Sequence, residues 1–517
     1  MSALLLVCTF IYGLWAFAGA ATDLASQVQA LGGKLEGSIV YVPGSELQTS
    51  DTLANYLRRG NEVLFAPSVP SVFLTAASPA DVVAGIKFAL DNGVKVSLRG
   101  SGHNQAGTSL YPGGMTIDLS NLKSVDIDPN NSTAYFQPGV TGGEMAAASE
   151  PHGLHYRIGH VSNVSLSGYT LGGGLGWAGL AVDQIIGLDV VNVWEYPQEE
   201  LAIKRIDADS FPDLFAAMQG AGQVLGAVVG FQAQLQPLPP NGVVRLTNAV
   251  WPNDQAAHGW ATWNAFSSSH THSVLVETSA MYLTEPGRGP SVHIGTVDWS
   301  PDNRTGTSDY IDAWVSAAAA AGAEIQDGEL PYMAVVDLNN PTENYPDLVS
   351  YTAISFMHPS DTPKAVELVT AAFENATTPQ TFIVVEPVAN GTKSNNDTAF
   401  GWRGLDFVII WGLWTRTAAG SEADGDATHV AWVKALEDDL AQYSVGTQLS
   451  FSNFAKANDT QICFPAANWA AVQAAKANYD PYNTFQALDF YHNDGGYGPL
   501  AATPSNVKPV SNARAGA

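Results

Sequence analysis

The sequence predicts an α+β protein built of two lobes. The chain has 517 residues, of which 46% are hydrophobic and only 14% charged. It is therefore long enough for two or three units that each bury a core. In the first half, helix and strand signals alternate between many glycine turns. Pro237, Pro239 and Pro240 then mark a boundary, after which alternating strands mix with alanine-rich helices.

A helix followed by a tight turn and a strand opens the first lobe. Ser78 is a suitable N-cap, Pro79 fits the first helical position, Asp81 the third, and Gly93 ends the apolar periodicity. Further short strands are predicted over residues 94–98, 116–119, 125–127, 133–137 and 227–235.

The second lobe is expected to be a sheet covered by helices. Its strands are predicted over residues 243–250, around Tyr282, and over 292–299, 351–357 and 407–414. Its helices are predicted over residues 311–321, 364–373 and 430–443.

The N-terminus has the pattern of a secretory signal peptide over residues 1–20. Apolar residues run from Leu4 to Phe17 and end at Ala18-Gly19-Ala20. The alternative, an uncleaved anchor, would need a longer apolar stretch to span a bilayer. We therefore expect a secreted, extracellular protein. Asn-x-Ser/Thr sequons, which predict a glycoprotein, begin at Asn130, Asn131, Asn163, Asn303, Asn375, Asn390, Asn396 and Asn458.

Charge and cysteine content exclude several kinds of partner. The formal net charge of −27 disfavours nucleic acid and, once the signal is cleaved, anionic membranes. Loss of Cys8 with the signal leaves Cys463 alone, so no intramolecular disulfide and no cysteine metal site can form. His270 and His272 could ligate a metal on one strand face, but a surface pair is the simpler interpretation, and we expect no metal.

The glycine-rich loop over residues 99–107 follows a strand and could cradle phosphates, because backbone N–H groups approach a pyrophosphate only where side chains are small. An ordinary structural turn would explain the loop equally well. A Rossmann fingerprint is rejected, because it must open a helix, whereas Gly220-Ala221-Gly222 precedes a strand.

Four motifs occur together in a fixed order. They are Arg-Gly-x-Gly-His-Asn-x-Ala-Gly over 99–107, Thr-Leu-Gly-Gly-Gly-Leu-Gly-Trp over 170–177, Pro-Asp-Leu-Phe with Gly-Ala-Gly and Gly over 212–226, and Tyr-Asp-Pro-x-x-x-Phe over 479–485. In this order they resemble the vanillyl-alcohol-oxidase/p-cresol-methylhydroxylase (PCMH) superfamily and, within it, the berberine-bridge-enzyme-like oxidoreductases. The resemblance covers about residues 66–485.

The resemblance implies a two-lobed PCMH-type FAD-binding domain with a second α+β substrate domain, an antiparallel sheet covered by helices. We place the FAD-binding domain at residues 21–240 and the substrate domain at 241–450. A segment over 451–500 would return to the FAD lobe, and 501–517 would be a tail.

The same resemblance implies that a ring nitrogen of His103 is bonded covalently to the 8α-methyl group of FAD. Val161 stands where many relatives have a second, cysteinyl link, so one bond is expected. The other residues expected to bind the cofactor are Arg99, Gly100, Ser101, Gly102, Asn104, Gly107, Val161, Ser162, Val164, Gly168, Leu171, Gly172, Gly173, Gly174, Gly226, Val228, Val229 and Tyr479.

Val164 aligns with a position that is valine in oxidases of the family, so O₂ is the expected acceptor, although Ser165 replaces the usual glycine beside it. The implied reaction moves hydride from an alcohol, sugar or phenolic small molecule to FAD. Asn163 would lie against the flavin, and we expect this sequon to stay unmodified.

The base that the family uses is missing. Its tyrosine corresponds to Phe454 in Phe451-Ser452-Asn453-Phe454, and phenylalanine cannot accept a proton. Tyr351, His358, Glu386 and Tyr491 are the alternative bases. Other interpretations remain open: a substrate that needs little base, an oxidative cyclase of secondary metabolism, and a flavin-binding protein without turnover.

Overall fold

The computed structural model describes residues 24–41, 62–63, 70–104, 109–111, 113–176, 178–269, 276–285, 287–300, 307–338, 348–388, 393–415, 422–448 and 461–485. Its strands in chain order are β1 (Ser38–Tyr41), β2 (Glu62–Val63), β3 (Val72–Thr75), β4 (Val96–Arg99), β5 (Met115–Asp118), β6 (Val125–Asp128), β7 (Thr133–Phe136), β8 (Leu154–His155), β9 (Ile185–Val191), β10 (Ile203–Ile206), β11 (Val228–Gln234), β12 (Gln236–Pro237), β13 (Val243–Pro252), β14 (Val276–Glu285), β15 (Gly289–Asp298), β16 (Glu324–Pro331), β17 (Leu348–Met357), β18 (Phe382–Pro387), β19 (Asp406–Thr415) and β20 (Ser444–Gly446).

The helices are α1 (24–32), α2 (Pro79–Asn92), α3 (Gly142–Ser149), α4 (Leu166–Leu171), α5 (Pro212–Ala221), α6 (Ala256–Ser269), α7 (Thr307–Ala320), α8 (Tyr332–Val336), α9 (Thr362–Phe373), α10 (Glu422–Leu440) and α11 (Ala466–Tyr479). In the described part of the chain, no helix is long and apolar enough to cross a membrane.

A four-stranded sheet in the order β1-β3-β5-β4 opens the first lobe, with β5 parallel to both β3 and β4. Helix α2 packs on it through residues such as Val82 and Ile86. The helix has the predicted ends. Ser78 and Asp81 form a capping box, and Gly93 closes the C-terminus at φ 64°.

A five-stranded antiparallel sheet in the order β10-β9-β11-β7-β6 forms the rest of this lobe. Phe136 stacks on Phe231 with ring centroids 5.0 Å apart. Successive residues of β11 serve different cores, since Val228 belongs to the core of this sheet and Val229 to that of the four-stranded sheet. Strand β11 therefore joins the two sheets of the lobe.

The second lobe is a large sheet in the order β16-β13-β15-β14-β18-β19-β17-β2, with β20 added to β17. Helices α6, α7, α9 and α10 cover one face, and the core beneath them includes Trp251, Trp314 and Tyr282. The opposite face, here called the inner face, is turned toward the first lobe. This arrangement confirms the predicted α+β class with a helix-covered antiparallel sheet.

Strand β2 departs from the predicted division of the chain, because it lies before residue 240 and yet pairs in parallel with β17 of the large sheet. The boundary at residues 240/241 stays a prediction.

The segment over residues 393–403 ties the lobes together. The N–H groups of Ala399 and Phe400 donate to the carbonyls of Ala216 (2.9 Å) and Gln219 (3.0 Å) in α5. Arg403 forms a buried ion pair with Asp183 of the first lobe. Because these contacts join backbone to backbone and charge to charge, they fix the inner face against the first lobe.

Residues 480–485 return to the edge of the four-stranded sheet. The N–H of Val96 donates to the carbonyl of Thr484 (2.7 Å), and Phe485 pairs in parallel with Val96. Lys476 holds this segment through Asp480 (2.6 Å) and the carbonyl of Phe485 (2.8 Å). The chain end therefore supports β4, the strand that leads into the His103 loop.

Candidate functional site

Two loops of the first lobe are hydrogen-bonded to each other beside the end of β4. The N–H of Ser101 donates to Oγ of Ser165 (3.0 Å), and the N–H of Ser165 donates to Oγ of Ser101 (2.7 Å). A Cβ on Gly100 would lie 2.0 Å from Ser165 Oγ, so only glycine allows this approach. The structure thus brings Gly100, Ser101 and Gly102 of the first motif to the loop before the second.

His103 lies largely buried in the first of these loops. Burial, and secondarily the positive charge of Arg99, lower its pKa to about 4. Its imidazole is therefore neutral at neutral pH. Asn104 is the next residue of the same loop. Gly107 lies outside the described residues.

Arg99 lies at the end of β4 with its guanidinium turned into the protein. It pairs with Asp118 at 2.8 Å, and both side chains are buried. Because its charge is held within the four-stranded sheet, the side chain supports the loop and acts on His103 through its electrostatic field.

The second loop runs over residues 161–165 into α4. The N–H of Val164 donates to the carbonyl of Val161 (3.3 Å) in a tight turn, and Ser162 Oγ donates to Asp337 (2.8 Å) beyond α8. Val161 and Val164 are half-buried, and Asn163 between them is exposed. This loop is therefore anchored to both lobes.

The triple glycine follows α4, whose last residue Leu171 is buried. Gly173 has φ 116°, and a Cβ there would lie 2.4 Å from the ring of Phe400. Gly174 has φ 73°, and its Cβ would lie 2.5 Å from that of Ala181. Glycine is thus required at both positions by backbone conformation and by packing.

Two glutamine side chains bind carbonyls of this motif. Gln223 Nε2 donates to Gly168 (2.8 Å), and the buried Gln448 donates to Gly172 (2.6 Å). A Cβ on Gly168 would meet nothing within 4 Å, so open space borders the motif there. Gln448 lies six residues before Phe454, which is outside the described part of the chain.

Three further predicted residues take part in packing. Val228 and Val229 are each 2% exposed in the two cores that β11 joins. A Cβ on Gly226 would lie 3.3 Å from Val190, so this glycine lies against β9. Such residues can reach a cofactor only through their backbone atoms.

Tyr479 packs α11 against α5. Its hydroxyl donates to Asp213 (2.8 Å), and its ring meets the edge of Trp194 with centroids 5.2 Å apart. Burial and the bond to Asp213 raise its pKa to about 12. These contacts belong to helix packing and join neither of the two loops.

The inner face of the large sheet carries one of the candidate bases, Glu386, which is 7% exposed. It lies opposite Phe407 in the sheet, and Phe407 packs with Leu180 and Val182 of the first lobe. Val388, two residues after Glu386 and just beyond the end of β18, belongs to this cluster as well. Glu386 therefore faces the first lobe.

The other candidate bases lie elsewhere. Tyr351 is buried on the helix-covered face, with Lys434 of α10 5.8 Å from the centre of its ring. His358 is exposed in the turn between β17 and α9, where its carbonyl accepts from Asp361 (2.8 Å). Tyr491 lies outside the described residues. The structure thus distinguishes these candidate bases by their locations, which the sequence alone does not give.

Three residues of the site are absent from the sequence expectations: Phe400, Gln448 and Asp183. Phe400 covers both Gly173 and Gly220, and Asp183 follows the triple glycine closely and pairs with Arg403. The glycines signal that something packs closely against them, but no sequence pattern identifies the partner.

The residues present suit an FAD. A neutral histidine, two loops held together through glycine and serine, and open space at Gly168 can accept a dinucleotide with an attached ring. Residues 70–194 match a family model described as an FAD binding domain. The uncharacterized FAD-linked oxidoreductase YgaK of Bacillus subtilis is 24% identical over 436 residues, 83% of this chain and 92% of that protein.

Solved structures agree with the sequence match. A BBE-like 1 variant from Physcomitrella patens superposes with a TM-score of 0.73 at 16% identity, over 89% of this chain and 97% of that chain. The chain is an FAD-linked oxidoreductase with the berberine-bridge-enzyme-like fold. A xylooligosaccharide oxidase from Myceliophthora thermophila C1, solved in complex with xylobiose, gives this oxidoreductase a TM-score of 0.71 at 18% identity, over 90% and 98% of the two chains.

For this FAD-linked oxidoreductase the expectations of cofactor, fold and enzyme class are confirmed. The covalent bond at His103, the individual contacts to FAD and the catalytic base stay predictions. Among the residues that the structure describes, no group of three or more His, Cys, Asp or Glu side chains could hold a metal.

Proposed function

We propose that this oxidoreductase is a secreted oxidase that moves hydride from an alcohol, sugar or phenolic substrate to FAD bound covalently at His103. Bound FAD would supply the hydride acceptor, with O₂ as the final acceptor and hydrogen peroxide as the second product. The observation that carries the proposal is the position of Glu386, a carboxylate on the inner face beside the cluster that joins the lobes.

His103 is suited to the covalent bond because its pKa of about 4 leaves a ring nitrogen with a lone pair at neutral pH. A protonated imidazole could not form a bond to the 8α carbon. The bond would be single, because Val161 carries no sulfur at the position where relatives bear a second link.

Glu386 is suited to act as the base that Phe454 cannot be. When the carbinol carbon of the substrate loses hydride, its hydroxyl becomes strongly acidic, and the carboxylate of Glu386 would take the proton. Tyr351 behind the sheet and His358 in an exposed turn cannot take this role without leaving their places.

Secretion and the oxidase assignment rest on the sequence. The signal pattern over residues 1–20 lies outside the described residues, while the sequon asparagines Asn130, Asn131, Asn375 and Asn396 are exposed and accessible to a glycan. Val164 supports O₂ as the acceptor.

An anaerobic donor screen tests the proposal. Purified protein is mixed with primary alcohols, aldoses, oligosaccharides and phenolic alcohols while the flavin absorbance is followed, and air is then admitted. We expect bleaching with at least one donor that has a carbinol group, then reoxidation with one peroxide per turnover. Flavin that no donor reduces would favour the protein without turnover, reduction without peroxide in air would exclude the oxidase, and ring closure in a product would indicate the cyclase.

A further inference from the structure

A row of polar residues crosses the inner face of the large sheet. It consists of Gln326 on β16, Asn248 on β13, Gly295 on β15, Ser279 on β14 and Glu386 on β18, and is called the polar row below. Asn248 lies opposite both Gln326 and Gly295, and Ser279 lies opposite Gly295. Alignment of Ala280 with Val385 places Ser279 beside Glu386.

Side-chain alternation puts the polar row on the inner face. Ala249, Ala280, Ile294 and Val385, each next in sequence to a member of the row, belong to the core under the helices. Because successive side chains of a strand point to opposite faces, the row must point toward the first lobe.

Apolar contacts border the polar row at two places, along the strands from Asn248 and beyond Glu386. On one side Leu246 and Val297 pack into the core of the first lobe. On the other side Phe407 packs with Leu180 in the cluster that joins the lobes. Asn248, Gly295 and Ser279 between these two contacts are half-exposed, as expected for the floor of a cleft.

Asn248 has a fixed orientation. Its Nδ2 lies 2.9 Å from Nδ1 of His293 and 3.3 Å from Oε1 of Gln326, and Nε2 of His293 lies 3.0 Å from Ser291 Oγ. Burial lowers the pKa of His293, which favours the neutral ring, and Nδ1 is the acceptor because the amide nitrogen can only donate. The Oδ1 atom of Asn248 is left 4.0 Å from the place of a Cβ on Gly295, at the border of the space above that glycine.

The row has a length that can be compared with a ligand. Neighbouring strands lie about 4.8 Å apart, so Asn248 is three strand spacings, or about 14 Å, from Glu386. One pyranose unit of a linear sugar chain advances by close to one strand spacing. Amide, hydroxyl and carboxyl groups in a file match the repeating hydroxyls of such a chain.

We propose that the polar row is the binding surface for a linear oligosaccharide, with Asn248 as the residue that selects for chain length. The inference rests on the proposed function, in which the reacting unit lies beside Glu386. The third unit from the reacting end would then lie over Gly295 and hydrogen bond Asn248, with Gln326 behind it.

The test measures binding separately from turnover. Isothermal titration of the purified holoprotein with xylose, xylobiose, xylotriose and xylotetraose, and with the matching cello-oligosaccharides, gives a Kd for each length. We expect affinity to rise up to three units in at least one series and then to level off. Asn248→Ala should weaken trisaccharide binding about tenfold more than monosaccharide binding, the value of one neutral hydrogen bond.

Gly295→Val provides a second variant, because its side chain would enter the space over the row. The first added atom would have no neighbour closer than 3.4 Å, so the fold should tolerate it. We expect this variant to lose the preference for three units. Glu329→Ala is the control and should keep the preference for three units. Glu329 lies on the edge strand β16, as Gln326 does, but opposite Arg245 on the face that the helices cover.

Equal affinity for all lengths, equal weakening of all lengths by Asn248→Ala, or no saccharide binding would overturn the inference. Bleaching of the flavin by other donors while no saccharide binds would leave the proposed oxidase standing. Length-dependent binding through Asn248 with no reduction by any donor would leave the surface standing and overturn the oxidase.

Discussion

Ser101 and Ser165 bind each other through two hydrogen bonds that run in opposite directions, each backbone N–H donating to the other's Oγ. Ser101 belongs to the first glycine motif and Ser165 to the loop that precedes the second, 64 positions later in the chain. Their contact explains why two short loops form one site, since neither loop has a core of its own.

Replacing Gly100 with alanine should open the contact between the loops. The new Cβ would lie 2.0 Å from Ser165 Oγ, so the Ser165 side chain must turn away and release the N–H of Ser101, at a cost of about 1–3 kcal/mol in the free energy of unfolding. The free energy of unfolding measured in urea and the flavin-to-protein absorbance ratio should both fall. Gly328→Ala, whose Cβ would meet nothing within 4 Å, is the control. Unchanged stability of Gly100→Ala would show that the loops are not packed as described.

The buried ion pair between Asp183 and Arg403 should contribute strongly to the free energy of unfolding. Arg403→Met leaves the carboxylate of Asp183 buried without its partner, and we expect a loss of about 3–5 kcal/mol in urea unfolding. The double variant with Asp183→Asn should recover part of this loss, because the buried carboxylate is then neutral, while Arg157 and Lys393 lose the attraction of its charge. A single variant as stable as the double would contradict a role for the pair.

The first lobe should lose stability in mild acid through His155. Burial, followed by the charge of Arg157, lowers the pKa of His155 to about 4, against 6.5 for an ordinary histidine. Between pH 6.5 and pH 4, His155 therefore binds a proton in the unfolded chain but stays neutral in the folded protein. Stability is full above pH 6.5 and falls as the pH drops toward 4, by about 2–3 kcal/mol at pH 4.5.

His155→Phe should flatten this pH dependence, because a phenyl ring can stack on Trp299 as the imidazole does, with centroids now 5.6 Å apart. The measurement is the free energy of unfolding at pH 7 and pH 4.5 for both proteins. The exposed His152, three residues earlier, supplies the control variant His152→Ala. The same acid loss in His155→Phe as in the wild type would assign it to other groups.

Much of the fold could be predicted, because the apolar periodicity and the turn residues act locally. Ser78, Asp81 and Gly93 bound α2 as expected, and the predicted strands near Tyr282 and over 351–357 and 407–414 belong to the sheet. Strands β16 and β18 were missed. The first is an exposed polar edge strand, and the second is short and recognisable only from its place between β14 and β19.

The Glu386→Gln variant should bind flavin normally and lose turnover. A neutral amide cannot take the substrate proton, so we expect kcat to fall by about 10²–10⁴-fold with the donor that the screen identifies. Tyr351→Phe and His358→Asn are matched controls, because the structure places one behind the sheet and the other in an exposed turn. A large loss in either control, with Glu386→Gln active, would reverse the assignment.

The site was less predictable than the fold, because its members come from distant parts of the chain. The glycine motifs and His103 could be found from local sequence. Phe400 against Gly173, Gln448 on Gly172 and the inner-face position of Glu386 follow from strand register and packing between lobes, which no local pattern encodes.

Acid precipitation of the purified protein, followed by mass analysis of the peptide that contains His103, tests the central claim most directly. We predict a yellow precipitate, a peptide heavier by one FAD attached at His103, and release of all flavin to the supernatant in His103→Ala. Wild-type protein that leaves its flavin in the supernatant, or a modified peptide elsewhere in the chain, would contradict the account.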